Sequence, residues 1–189
     1  MCGRYLFWDS ENKDIEQLVT YAEERLDPNT FSKLAVHEVT PGSYCFSCIF
    51  DHNRFHTGIM KWGFTKTGKT VINARSETCF TSPFFRDAKP CVLPCSGYFE
   101  WDASRTKHLI TGKEGIQYLG GLYHIENGIP VFVVVTQPAD PSVAKIHDRQ
   151  PLLFDKPNAI AWCRSASKQL FTMSICNRKA EHIKKTVRS

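Results

Sequence analysis

The chain has 189 residues, 42% of them hydrophobic, and a formal net charge of +5. That length suits one domain with a substantial core, and the longest apolar runs, such as Val131 to Val135, are far too short to span a bilayer. No charged segment followed by an apolar one opens the chain, so no signal peptide is read there and an intracellular protein is expected.

In chain order, residues 9–26 predict an amphipathic helix. Ile15, Leu18, Val19, Ala22 and Leu26 fall on one face of period 3.6. Asp9 or Ser10 can cap it, and Asp27-Pro28 ends it. Strand patterns then dominate, over 33–39, 43–51, 54–61, 91–99, 107–111, 116–123, 130–136 and 170–176, with Gly, Pro, Asn or Asp between them. Residues 78–88 read as a short helix or a loop. Residues 156–169 predict a second helix, with Pro157 in its first turn. No repeat or linker divides the chain, so one β-rich domain over 1–189 is expected. Its end, about 178–189, carries Arg178, Lys179, Lys184, Lys185 and Arg188. That stretch reads as a solvated basic tail or as an arm that attracts phosphate.

Four segments carry side chains with chemistry. The first is Met1-Cys2-Gly3-Arg4. A small residue at position 2 favours removal of the initiator Met, which would leave Cys2 with a free α-amine beside its thiol. Near pH 7.4 roughly a quarter of such amines are neutral, against about 0.1% of lysines. Only a neutral amine attacks a carbonyl. The amine can form an imine with an aldehyde, and the thiol can then close a five-membered thiazolidine. A frayed terminus is the bland alternative. The second segment is Asn73-Ala74-Arg75-Ser76-Glu77, with an amide that donates and accepts and a guanidinium fork suited to phosphate; a polar turn is its alternative. In the third, an apolar run from Cys91 ends in Glu100-Trp101. Desolvation raises a carboxyl at the end of a buried strand, so Glu100 can shuttle a proton, and an indole can stack on a base or sugar. An exposed Glu beside a core Trp is the alternative. The fourth is His147-Asp148-Arg149-Gln150-Pro151, where His147 suits a general acid and Arg149 a phosphate; a plain loop is its alternative.

Eight cysteines remain to be read. Without a secretory signal, most should be reduced thiols. Cys45 and Cys48 form a CxxC on an expected strand, where positions three apart point to opposite faces. Cys91 and Cys95 share a face but sit roughly 13 Å apart along an extended strand. Neither pair suits a metal, so no metal and no cofactor are expected. Cys79, Cys163 and Cys176 read as packing residues.

Taken together, the ordered set of CGR at the start, NAR-S-E, GYFEW and IHDRQP resembles the SOS-response-associated peptidase family, whose members shield abasic sites. Val39-Thr40-Pro41-Gly42 resembles its VAPG, and Trp62-Gly63 its WG. The resemblance spans residues 2 to about 154. It implies a mixed α+β, β-rich fold, a compact barrel-like pair of antiparallel sheets with flanking helices. It implies that Cys2, with Met1 removed, forms a thiazolidine crosslink with the ring-opened deoxyribose of an abasic site in single-stranded DNA, as part of the DNA damage response. Glu100 would position or deprotonate the amine, His147 would protonate the sugar ring oxygen or help imine exchange, and Asn73 would hold the N-terminus and the reacting oxygen. Arg4, Arg75 and Arg149 would grip phosphates. Trp101 and the Pro41-Gly42 loop would pack on the sugar or displaced bases, with Trp62 and Thr136 also at the DNA side. The partner implied is abasic single-stranded DNA, in the cytoplasm or a nucleus, and the expected state is a monomer with no membrane attachment. After Trp62-Gly63-Phe64 the family usually has a Pro and a second Trp; here the chain reads Thr-Lys-Thr-Gly-Lys-Thr.

Two other classes fit parts of the pattern. An N-terminal nucleophile amidohydrolase also exposes Cys before Gly and uses its amine as base. The family's peptidase name points that way, through self-removal of residues before Cys2 or through cleavage of other proteins, and a lyase activity is a further option. A non-catalytic single-strand binding module would need the cations and aromatics but not Cys2, Glu100 or His147.

Overall fold

The computed structural model describes residues 2–8, 13–66, 68–112, 116–164 and 182–186. Strand β1 (Tyr5–Leu6) comes first, then helix α1 (Lys13–Arg25) and a one-turn helix α2 (Pro28–Phe31). Asp27-Pro28 therefore ends one helix and starts another: the Asp27 carboxylate accepts the Thr30 N–H at 3.0 Å, and Pro28 supplies the first turn. Ile15 and Ala22 are buried, and Val19 and Leu26 pack against the same cluster, as the 3.6-residue period requires. The expected caps Asp9 and Ser10 lie outside the described residues.

The strands continue as β2 (Glu38–Val39), β3 (Tyr44–Asp51), β4 (Arg54–Trp62), β5 (Phe64–Lys66), β6 (Lys69–Val71) and β7 (Asn73–Arg75). After a 3-10 turn at Pro83–Phe85 come β8 (Lys89–Cys95), β9 (Gly97–Trp101), β10 (Lys107–Thr111), β11 (Gln117–Glu126), β12 (Ile129–Pro138), β13 (Arg149–Pro151) and β14 (Leu153–Phe154). Helix α3 (Lys156–Arg164) and β15 (His182–Thr186) complete them. The run expected as one strand over 91–99 divides at Ser96 into β8 and β9, which belong to different sheets. The candidate strand over 170–176 lies outside the described residues.

Pairing around β12, β4, β3, β8 and β11 closes back on β12, so these five strands form a barrel. The β12–β4 pair is parallel and the others antiparallel. Strand β12 alternates between two cores. Phe132 and Val134 join Cys2, Tyr5 and Trp62, while Val131, Val133 and Val135 join Phe154 and Trp162 of the α3 side. Burial on both faces is what permits a continuous β-branched run there. The second sheet has the order β15-β10-β9-β1-β2 and carries the N-terminus against Glu100's strand. Within the basic stretch near the end of the chain, His182–Thr186 pairs with Lys107–Thr111 as the edge of this sheet.

Two glycines are required by geometry. Gly63 has φ +121°, and a Cβ there would stand 2.6 Å from a Thr70 methyl. A Cβ on Gly97 would meet the Ile110 carbonyl at 2.7 Å, so β9 approaches β10 closely just before Tyr98. Among the described residues, no helix is long and apolar enough to cross a membrane.

Candidate active site

Tyr5 pairs with Tyr98, and the Phe99 N–H donates to the Arg4 carbonyl at 2.9 Å. This antiparallel register lays the N-terminus along β9 toward Glu100. Asn73 closes the arrangement from the barrel: its Nδ2 donates to the Cys2 carbonyl at 2.9 Å, across 71 positions of sequence. Parallel pairing with Val134 holds Asn73 in place. The Asn73 Oδ1 is buried and has no hydrogen-bond partner among the described residues.

Cys2 is fully buried. Desolvation, then the charge of Glu100, pushes its thiol up to about 12. At neutral pH it is a thiol and not a thiolate. Glu100 is 4% exposed, and burial pushes its carboxyl up to about 7, with the Asp148 charge acting in the same direction. A carboxyl poised there exchanges its proton readily at neutral pH.

His147 stands in the loop between β12 and β13. The loop is pinned by the Ala139 N–H on the Asp148 carbonyl and by a reciprocal pair between Asp140 and Gln150, each bond 2.9–3.0 Å. His147 Nδ1 accepts the Arg149 N–H at 3.0 Å and also lies 2.9 Å from an Asp148 carboxylate oxygen. The two partners require different forms of Nδ1: without hydrogen it accepts from the amide, and carrying hydrogen it donates to the carboxylate. The influence of Asp148 on Glu100 puts this loop on the Glu100 side of the site.

The other expected site residues divide. Arg75 is exposed and makes no ion pair among the described residues. Pro41 is exposed in a tight turn with Gly42 at φ +89°. Arg4 pairs with Glu38 at 2.8 Å and lies 5.6 Å from the partly buried Trp101 ring; Glu38 also holds Lys107. Three residues differ from expectation. Trp62 is fully buried, donating from Nε1 to the Ile72 carbonyl at 2.9 Å and stacking on Phe132, so it offers no ring face to a base. Thr136 is 1% exposed, with its hydroxyl toward the Ala74 carbonyl; an inward β12 position keeps it from the surface. Arg149 is committed: it forms a two-bond pair with Glu77 at 2.5 and 2.9 Å and donates to the Thr136 carbonyl at 2.7 Å. That fork is already filled by a carboxylate, which it holds down at about 2.

Glu38, Lys107, Asp102 and His108 were not singled out by sequence, and Glu77 was named only as part of the NAR-S-E segment, with no partner. The alternation Asp102-x-Ser104-x-Thr106-x-His108 is a local polar signal that marks the turn after Glu100. Nothing local ties Glu77 to a residue 72 positions away. The segment after Trp62-Gly63 forms the β5–β6 hairpin, whose Thr65 N–H is held by the Glu126 carboxylate at 3.0 and 3.1 Å.

The sequence profile of the SOS response associated peptidase family matches residues 1–187. The abasic site processing protein YoqW of Bacillus subtilis is 26% identical over 182 residues, covering 86% of this chain and 80% of that one. The abasic site processing protein YedK of Escherichia coli is 28% identical over 180 residues, covering 87% and 80%. Among solved structures, a Bordetella bronchiseptica protein superposes with a TM-score of 0.75 at 17% identity over the whole of both chains. A phage-related protein of the same organism reaches 0.63 at 20% identity, covering 87% and 83%. Both likenesses are of fold, in agreement with the β-rich α+β architecture.

Proposed function

This chain belongs to the SOS response associated peptidase family, and we propose on that footing that it processes abasic sites by forming a covalent adduct through Cys2 once Met1 is removed. The substrate is the ring-opened deoxyribose aldehyde in single-stranded DNA. Its relatives YoqW and YedK carry the name of abasic site processing proteins, which supports the substrate class. The observation that carries the reading is the Asn73 amide on the Cys2 carbonyl, with the buried Glu100 in electrostatic contact with the thiol.

The chemistry runs amine first. A thiol pushed up to about 12 is a poor opening nucleophile, whereas an α-amine titrates at roughly 7.7–8.0. The neutral amine adds to the aldehyde carbon and gives a carbinolamine. Glu100 takes the proton released by the amine and returns it to the departing hydroxyl, so water leaves and an imine forms. The thiol then adds to the imine carbon, its proton passes to the nitrogen, and the thiazolidine closes with one water lost overall. Among the described residues the buried Asn73 Oδ1 has no donor, and a buried amide left unpaired costs about 1–3 kcal/mol; an α-ammonium or a sugar hydroxyl supplies one. His147 acts as the acid at the sugar oxygen. Arg75 is exposed and available to a phosphate.

The test uses Met1-free protein and three single-stranded oligonucleotides: intact, abasic, and abasic with the aldehyde reduced. A heat- and SDS-stable band is expected with the unreduced abasic strand alone, and none with Cys2→Ala. Identical bands from wild type and Cys2→Ala would overturn the reading.

A further inference from the structure

Glu100 has to take up and give back protons, yet it is 4% exposed. The residue directly opposite it across the sheet is the titratable His108. The β9–β10 register sets Lys107 opposite Trp101, His108 opposite Glu100, and Ile110 opposite Tyr98. Directly opposed residues of antiparallel strands share a face, with Cβ atoms roughly 4.5–5.5 Å apart. Tyr98 and Ile110 are buried, so this is the inward face.

His108 is held from outside. Its Nε2 lies 2.8 Å from Asp102 Oδ2. Asp102 is two residues beyond Glu100 and is itself fixed: Oδ1 accepts the Ser104 hydroxyl at 2.6 Å and the Thr106 N–H at 2.9 Å. The Asp102 and Thr106 backbones also bond across the turn at 3.1 Å. With these donors, Ser104 first and His108 next, the Asp102 carboxyl stays far below its ordinary range. It is a permanent anion, so the His108 Nε2 carries the hydrogen and Nδ1 is the nitrogen that can accept another. Exposure rises outward along the three side chains, from Glu100 at 4% to His108 at 13% and Asp102 at 25%.

We propose that His108, oriented by Asp102, is a positioning residue that acts through Glu100 as its proton store and outlet to solvent. The inference rests on the reading of Cys2 and Glu100 given above. The proton leaving Glu100 passes to His108 Nδ1, directly or through one water. The imidazolium is stabilised by Asp102 and then gives that proton to solvent, and the reverse steps reload Glu100. No heavy-atom bond changes. The other charged or titratable groups bearing on Glu100 are the N-terminal amine, which holds its carboxyl down by charge and hydrogen bond, the Cys2 thiol, and Asp148 of the His147 loop.

The test measures the single-turnover rate of adduct formation with abasic single-stranded oligonucleotide. His108→Ala should slow the rate at saturating DNA roughly tenfold or more, with the half-saturating concentration within about twofold of wild type. Imidazole at tens of millimolar should restore much of that rate, and should do nothing for wild type or Glu100→Ala. Asp102→Asn, a milder change, should slow the rate by about threefold to tenfold. An unchanged rate in His108→Ala, or a slowed rate indifferent to imidazole, would overturn the proposal. If His108→Ala does not fold, an unchanged rate in Asp102→Asn overturns it. A second readout is independent of the adduct: the carbon-13 carboxyl signal of Glu100 followed against pH. Two coupled steps are expected in wild type, and in His108→Ala one step with a higher midpoint, because a neighbouring imidazolium favours ionised carboxylate. Superimposable curves would overturn the proposal even if wild type made no adduct, whereas coupled curves without adduct would count against the abasic-site reading alone.

Discussion

Cys2 and Cys91 are both fully buried, and burial pushes both thiols upward. What surrounds them differs. Cys91 belongs to the same core cluster as Cys2, but the other influences on its thiol are Cys163 and Cys48, and its carbonyl is taken by the Trp162 indole at 2.9 Å. Cys2 has the Asn73 amide on its carbonyl and the Glu100 carboxyl beside its thiol. Burial of sulfur is common to a packing site and a reactive one. The difference is a titratable group tuned by the same burial, together with an amide whose oxygen finds no donor among the described residues.

That contrast can be broken first at the two cysteines. Cys2→Ala should abolish the adduct at unchanged fold. Cys91→Ala should leave the adduct rate of the folded protein intact and lower stability by about 1–2 kcal/mol through a small cavity. Denaturant melts and gel assays on the same preparations separate the two effects, and an adduct lost in Cys91→Ala would erase the distinction.

Glu100→Gln sharpens it. The rate should fall by about 10²–10⁴, and the dependence on pH near 7 should flatten. Stability should move the other way. Because the folded Glu100 carboxyl is raised from 4.5 to about 7, its contribution is complete below 4.5 and is lost as pH rises through 7. Each tenfold change in proton affinity is worth ~1.4 kcal/mol, so Glu100→Gln should gain at most about 3 kcal/mol on wild type at pH 8. Thermal melts at pH 5 and 8 check the sign, and a wild type more stable at pH 8 would contradict it.

Glu77 is the opposite kind of carboxyl. Its side chain is 45% exposed, and the Arg149 fork holds it down at about 2. Its contribution is present above 4.5 and lost as pH falls toward 2. Solvent screening limits Glu77→Gln to a loss of about 0.5–1 kcal/mol at pH 7, fading in melts at pH 3. The smallest effect compares two arginines. Arg75→Ala should weaken binding of an abasic strand and reduce the salt slope by about 1. Arg149→Ala should leave the slope nearly unchanged, since Glu77 already neutralises that cation. Equal changes in slope would place Arg149 on the phosphates after all.

The barrel strands were legible where alternation is local. Residues 43–51, 54–61 and 130–136 appear within a residue or two of β3, β4 and β12. Edge strand β15 was not legible, because His-Ile-Lys-Lys-Thr has no apolar period and its partner lies some 75 positions earlier. The break at Ser96 was missed for a related reason: both halves of 91–99 are apolar, and only the change of sheet separates them. At the site, residue type disclosed Cys2, Asn73, Glu100 and His147 as candidates, but not which groups are already occupied. Arg149 and Trp62 read as surface readers of DNA because a guanidinium and an indole suit that role. Their partners, Glu77 and the Ile72 carbonyl, are set by tertiary pairing.

The most direct test of the account is where on the chain the adduct sits. Met1-free protein is reacted with an abasic oligonucleotide, digested with protease and nuclease, and the modified peptide is sequenced by mass spectrometry. A peptide beginning at Cys2 is expected, carrying the deoxyribose remnant less one water, with no free thiol at Cys2. An adduct on a lysine, or on Cys2 with its thiol still alkylatable, would contradict it.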